Sequence, residues 1–146
     1  MSVLYKDLNL KTDDSVKLVD INGIQVEVKQ YLPVDVKANI IELATTGSVI
    51  NGCVSETLMD AYLHTFIVEN YTNIKFDEED IADIFRIFDE LNSTGILESI
   101  IRAIKPSEYD FIFSVAERAK NNLNLYNQSY AKGMTMLSGI TEQKTS

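Results

Sequence analysis

The sequence predicts a small, mainly α single domain: about five helices with an N-terminal β-hairpin, an α+β unit. Three observations predict this class. Asn22-Gly23 lies between two β-rich runs, apolar residues recur at helical spacing from residue 33 onward, and 146 residues suit one domain. The domain is expected over 16–138, with a polar arm at 1–15 that is flexible unless a partner orders it, and a polar tail at 139–146.

The hairpin is predicted over 16–32. Asn-Gly is a preferred type I′ turn, because both central residues need positive φ. The two-residue loop gathers five apolar side chains on one face: Val19, Ile21, Ile24, Val26 and Val28. The other face is mostly polar but also carries Val16 and Leu18. Helices are expected to cover the apolar face, since a lone hairpin is marginal in water. Its free edges, with Val16 and Leu18, are candidate docking elements for a neighbouring subunit.

Two helices are predicted next. Pro33 suits a first helical position, and apolar residues at helical spacing follow to about Thr45. Residues 46–53 contain two glycines and indicate a loop. Ser55 can cap the second helix, in which eight of the eleven residues Leu58–Val68 are apolar. A helix that is apolar nearly all round is a buried one, so it is expected at the centre of the core.

A third helix is predicted to start at Asp77 and to end before Gly95, which suits a C-terminal cap. Its expected apolar stripe comprises Ile81, Ile84, Phe85, Phe88 and Leu91. A short helix follows and ends before Pro106. Its inward residues are expected to be Leu97, Ile100, Ile101 and Ile104.

The last helix is predicted to be the longest, with Ser107 and Asp110 as a capping box. Nine of its residues follow alternating spacings of three and four: Tyr109, Ile112, Ala116, Ala119, Leu123, Tyr126, Tyr130, Gly133 and Leu137. This spacing fits either a long helix packed along its own core or an oligomer seam. Two alanines, three tyrosines and a glycine favour the first.

The end of this helix gathers tyrosine and methionine, which are enriched at interfaces. The candidate interface residues there are Tyr126, Tyr130, Met134, Met136 and Leu137. They are either the tail of the core helix or a binding surface, and methionine adapts to irregular surfaces.

Charge and composition exclude several classes of function. The net charge of −9 disfavours binding to nucleic acid and to anionic membranes. No stretch approaches the ~20 apolar residues that span a bilayer. The single Cys53 cannot form an internal disulfide, and the first residues contain no apolar leader. We therefore expect a reducing, cytosolic setting and no membrane partner.

Candidate residues for catalysis are few. His64 is the one histidine, with Asp60 one turn before it, and it is either a core residue or a catalytic base. Cys53 is either an incidental thiol or a nucleophile. Together they are too few for a structural zinc site. An EF-hand loop counted from Asp89 fails, because Leu91 and Ile100 fall where oxygen ligands are needed. The sequence therefore predicts no enzyme, no cofactor, no metal site and no small-molecule substrate.

An acidic run marks the start of the third helix: Asp77, Glu78, Glu79, Asp80 and Asp83. Acids at a helix start are favoured by the helix dipole, and that is the simpler interpretation. The alternative is a surface that binds a basic partner, as in an acidic inhibitor of a host nucleic-acid-binding protein.

Three segments carry a family resemblance: VKQYLPVDVKANIIE (Val28 to Glu42), ENYTNIKF (Glu69 to Phe76) and FDELNSTGILESIIRAIKPSEYDFI (Phe88 to Ile112). In this order they resemble small acidic morphogenesis proteins of tailed bacteriophages, over roughly 24–126. The resemblance implies a non-enzymatic structural or assembly protein, either capsid- or neck-associated in the virion or a transient tail assembly chaperone.

The implied partners are other phage structural proteins and a second copy of the chain as a homo-oligomer. The implied location is the virion, assembled in the host cytoplasm. No functional residue is carried over from the resemblance, because it includes no active-site motif.

Overall fold

The fold is known from a computed structural model. It describes residues 1–145, with all their side chains except those of Tyr130, Ala131 and 134–145. The described chain forms β1 Val16–Ile21, β2 Ile24–Lys29, α1 Val34–Gly47, β3 Val49–Ile50, β4 Cys53–Val54, α2 Glu56–Tyr71, α3 Glu78–Ala82, α4 Ile84–Ser93, α5 Ile96–Ala103 and α6 Pro106–Thr145. This confirms the mainly α class with an N-terminal hairpin.

The hairpin has the predicted turn and register. Asn22 and Gly23 have φ values of 53° and 83°, as a type I′ turn requires. Ile21 pairs with Ile24, and Val19 pairs with Val26. Val26 and Val28 are buried in the core. Ile24 is 67% exposed, because it lies beside the turn, beyond the helices that cover the rest of this face.

Helix α2 is the centre of the core, as its composition predicts. Its buried side chains point in several directions around the helix axis: Met59, Ala61, Leu63, His64, Thr65, Ile67, Val68 and Tyr71. Helices α1 and α4 both pack against it. The oxygen of the Ser55 side chain accepts a hydrogen bond from the Leu58 N–H, which confirms the predicted cap.

Helices α1 and α6 run in the same direction, and α2 runs against both. The side chain of Lys37, near the start of α1, meets that of Glu108, near the start of α6. Tyr71, at the end of α2, also contacts Glu108. At the opposite end, Lys120 of α6 bonds to Glu56 at the start of α2.

The segment predicted as a loop at 46–53 contains a second hairpin. Helix α1 continues to Gly47, and β3 then pairs with β4 across Asn51-Gly52, whose φ values are 52° and 80°. The turn chemistry is the same as at Asn22-Gly23. The prediction was wrong because each strand has only two residues, too few to show an alternating pattern.

The predicted third helix is broken at Asp83 into α3 and α4. The Asp83 backbone has ψ 57°, which is not helical. The break rotates the stripe that follows, so Ile87 is buried and Phe85 is 49% exposed, contrary to the prediction for Phe85. Asp77 and Asp80 cap the start of α3 reciprocally. Arg86 bonds to Asp80 before the break and to Glu90 after it.

The last two helices follow most of the predicted pattern. In α5, Leu97 and Ile100 are buried, as predicted. Helix α6 begins at Pro106, so Ser107 lies inside its first turn and the predicted capping box with Asp110 is wrong. Pro106 suits the first helical position, because a backbone N–H there would have no partner within the helix and proline lacks that N–H. Helix α6 runs on to Thr145, through the segment predicted as a tail, whose side chains lie outside the described part.

Two glycines are expected to respond to alanine with opposite signs. Gly95 has φ +76° and open space around it, so Gly95→Ala should cost about 1 kcal/mol from backbone strain alone. Gly47 is helical, and an added Cβ would meet the Tyr62 ring at 3.6 Å, an ordinary contact. Gly47→Ala should therefore stabilise the fold by about 0.5 kcal/mol. Urea unfolding of both variants measures the two changes in the free energy of unfolding. Changes of the same sign in both variants would contradict the prediction.

Candidate interaction surfaces

The outer face of the hairpin exposes two apolar side chains. Val16 is 46% exposed and Leu18 is 64% exposed. Their cross-strand neighbours on β2 are Lys29 and Glu27, which keep the surrounding surface charged. The structure therefore leaves both predicted residues accessible to a partner, on a face that the helices of the chain do not cover.

The hairpin has one occupied edge, not two free ones. Val28 of β2 forms an isolated bridge with Thr72, and the Glu27 N–H donates to Asn73 Oδ1 at 3.1 Å. Counting alternate pairs from the turn, the N–H and C=O of Leu18 point away from β2. Within the described chain they have no hydrogen-bond partner. The expectation of free edges is thus corrected to β1 alone.

The arm at 1–15 is less polar than the sequence prediction states. A 3-10 helix spans Tyr5–Leu8 and buries no residue. Its exposed apolar side chains are Met1, Val3, Leu4, Tyr5, Leu8 and Leu10. The base of the arm is fixed, since the Gln30 N–H donates to Ser15 O at 3.1 Å. Two hydrogen bonds from Ser15 lower the pKa of Asp13, which also faces Lys105 at 3.7 Å.

The C-terminal candidates are described only in part. Tyr126 is 68% exposed, and its neighbour Leu125 is 62% exposed. Just before them, Asn124 Oδ1 accepts a hydrogen bond from the Val54 N–H at 2.8 Å, which joins α6 to the small hairpin. The remaining predicted interface residues lie outside the described side chains: Tyr130, Met134, Met136 and Leu137.

The two predicted surfaces do not meet. The hairpin lies beside the C-terminal end of α2, through Thr72 and Asn73. Tyr126 follows the part of α6 that contacts the N-terminal end of α2 and the small hairpin. Sixteen residues of helix separate these ends by roughly 24 Å. The candidate interface is therefore two surfaces, one at each end of α2.

His64 is a core residue held by hydrogen bonds at both ring nitrogens. Nδ1 lies 2.8 Å from the backbone oxygen of Asp60, and Nε2 lies 2.9 Å from the Tyr109 hydroxyl. The ring meets the Asp60 backbone and not the carboxylate that a catalytic base would use as its orienting partner. Burial, then the charges of Asp60 and Asp110, raises the pKa of Tyr109. This geometry agrees with the core interpretation of His64.

The other candidate groups for chemistry are dispersed. The Cys53 thiol is exposed on β4, and the described residues place no three His, Cys, Asp or Glu side chains where they could share a metal ion. The acidic run is engaged locally: Asp77 and Asp80 cap α3, and Asp83 bonds to Arg86 at 3.0 Å. Hydrogen bonds to the carboxylates of Glu90, then Asp83 and Asp80, raise the pKa of Arg86.

A buried ion pair was missed by the sequence reasoning. Lys37 Nζ lies 2.6 Å from Glu108 Oε2, and both side chains are almost fully buried. Glu108 Oε1 also accepts from the Leu32 N–H at 3.0 Å and from the Tyr71 hydroxyl at 3.1 Å. Burial, then the Glu108 charge, raises the pKa of Tyr71. The Lys37 ammonium also lies 4.2 Å from the centre of the Tyr31 ring.

A sequence signal for this pair existed. Lys37 occupies the buried side of α1, three and four residues before Ile40 and Ile41, and Glu108 lies one turn before the buried Ile112. A charge of each sign inside an apolar stripe indicates that the two charges meet in the core, because unpaired burial is costly.

Two concavities flank α6. One, of about 300 Å³, lies against α2 and includes Lys120, whose Nζ bonds to Glu56 and Glu117 at 2.9 and 3.0 Å. These hydrogen bonds raise the pKa of Lys120. The other, of about 340 Å³, is the α1–α6 groove. The surface that lines it is almost wholly apolar, although three of its residues have polar groups. The lining residues are Ala38, Ile41, Glu42, Thr45, Thr46, Val115, Ala119 and Leu123.

Comparisons with protein-family models, with curated proteins and with solved structures found no match to this chain. Among the residues that the structure describes, no helix combines the length and apolar character needed to cross a bilayer.

Proposed function

We propose that this protein is a non-enzymatic structural or assembly protein of a tailed bacteriophage that binds other virion proteins. It would be a capsid- or neck-associated component, assembled in the host cytoplasm and retained in the virion. The phage assignment rests on the resemblance of the segments between Val28 and Ile112. The interaction role rests on surface features of the described chain.

One observation carries the interaction role: Leu18 and Val16 are exposed beside the unpaired edge of β1. An exposed strand edge can accept an extended segment of a partner through backbone hydrogen bonds. The adjacent apolar side chains would add burial of roughly 25 cal/mol per Å² removed from water. The exposed apolar residues of the arm supply a second contact near the base of the same hairpin.

Mass spectrometry of purified virions tests this proposal directly. The chain is expected at a fixed copy number in mature particles. Its absence from them would overturn the virion assignment and favour the tail assembly chaperone. A chaperone is instead expected to co-purify with unassembled tail or tape-measure protein from infected cells.

The substitution Leu18→Lys tests the docking surface. We expect it to lower incorporation into particles at least tenfold, because it places a charge where a partner buries an apolar side chain. The midpoint of thermal unfolding should hardly change, since Leu18 is 64% exposed. Ile24→Lys is the matched control, at 67% exposure on the opposite face of the hairpin. Equal loss of incorporation in both variants would contradict a specific role for the outer face.

A further inference from the structure

The apolar lining of the α1–α6 groove continues along α6 as far as Tyr126. Val115, Ala119 and Leu123 line the groove, and Tyr126 follows Leu123 by three residues, so it continues the same side of the helix. Within the groove these side chains are partly buried and pack against the core. Beyond Asn124 the helix continues to Thr145, about 30 Å further, and Tyr126 is 68% exposed.

The chain cannot fill its own groove with this extension. Residues 125–145 continue α6 as one helix, so they lead away from the groove that Val115 and Ala119 line. Folding back would require breaking the helix. An identical extension from a second copy, running antiparallel, meets no such obstacle.

We propose that the chain forms a two-fold symmetric dimer in which residues 125–145 of each copy lie in the α1–α6 groove of the other. The groove and the extension belong to the same helix, so one antiparallel pairing satisfies both copies at once and closes the assembly. The pairing places the side of α6 that carries Leu123 and Tyr126 against the same side of α6 in the other copy. Tyr126 of one copy then lies beside Leu123 of the other.

Size and charge support a second copy as the occupant. The helical extension, at about 30 Å, is longer than the roughly 21 Å of the 14-residue α1, so it can cover the groove along its whole length. Ala38 and Ala119 are small, which lets a helix approach closely. Residues 125–145 contain two lysines and one glutamate, whereas the whole chain has a net charge of −9 and the groove contains Glu42. Electrostatics therefore favours this contact, unlike one between two acidic bodies.

This inference goes beyond the proposed function, which rests on the hairpin and the arm, and it assigns a partner to the C-terminal helix. Light scattering after size exclusion tests it with the full chain. We expect a mass of twice the 16.5 kDa of one chain, falling to one chain in Tyr126→Glu. The matched control is Leu125→Glu, which has a similar exposure but lies about 100° around the helix from Tyr126, outside the paired side, and it should remain dimeric.

Spin labels fix the direction of the pairing. In a Cys53→Ser background, a label on Ser107→Cys should lie about 50 Å from its copy in an antiparallel dimer, and far closer in a parallel one. A label on Gln128→Cys should lie within about 20 Å of its copy. A monomeric wild-type chain, a Tyr126→Glu variant that stays dimeric, loss of the dimer in Leu125→Glu, or close labels at 107 would each overturn the proposal.

The outcome is separable from that of the proposed function. A monomeric chain that is present in purified virions overturns the dimer and leaves the virion role standing. A dimer with the expected label distances that is absent from virions supports the dimer and overturns the virion role.

Discussion

Replacing Lys37 with methionine is expected to lower the free energy of unfolding by about 3–5 kcal/mol. The substitution removes one member of a buried ion pair and leaves the carboxylate of Glu108 almost fully buried without its cation. Glu108 would keep the Leu32 N–H and the Tyr71 hydroxyl as donors, which compensates the lost charge only in part.

Urea unfolding followed by circular dichroism measures this loss. A surface pair supplies the control: Arg102 and Glu98 are mainly exposed, and Arg102→Met should cost less than about 1 kcal/mol. Removing both charges in Lys37→Met/Glu108→Leu should recover part of the loss, because no unpaired charge then remains in the core. A loss below about 1 kcal/mol in Lys37→Met would show that water reaches the Glu108 carboxylate.

Leu63→Ala is expected to cost about 2–5 kcal/mol. Leu63 is 2% exposed in the central helix α2, and α1 and α4 both pack on that helix. Since these neighbours are themselves close-packed, they can fill only part of the space left by the missing side chain.

Leu43→Ala is the matched control, because it removes the same atoms from a helix surface where Leu43 is 48% exposed. It should change stability by no more than about 0.5 kcal/mol. The comparison uses the denaturant midpoint at constant m-value. Similar losses at both positions would contradict the placement of α2 at the centre of the core.

Local chemistry is where the sequence prediction succeeded. The register of the first hairpin follows from a two-residue Asn-Gly turn, which leaves only one way to pair the strands. The burial of α2 follows from apolar residues all around the helix. Val16 and Leu18 were candidate interface residues as apolar residues on the mostly polar face of the hairpin, and Tyr126 was one as part of a tyrosine- and methionine-rich helix end. All three are exposed, and their role at an interface stays a prediction.

The features that the sequence analysis failed to predict have physical reasons of two kinds. Short elements carry too little pattern, which hid the second hairpin at Asn51-Gly52 and the break at Asp83. Contacts between distant residues leave at most an indirect local signal, such as a charge inside an apolar stripe, which does not say where its partner lies. Lys37 and Glu108 are 71 residues apart, and Asn73 reaches the Glu27 N–H from the end of α2, which closes the edge of β2.

The sequence by itself determined the helical class, the hairpin and the buried position of α2, because turn dihedrals and apolar periodicity act over a few residues. Only the tertiary structure decided which hairpin edge stays open, that the candidate interface is two surfaces at opposite ends of α2, and that α1 and α6 leave an apolar groove between them. These depend on how helices pack, and packing sets the distances between residues that the chain keeps far apart.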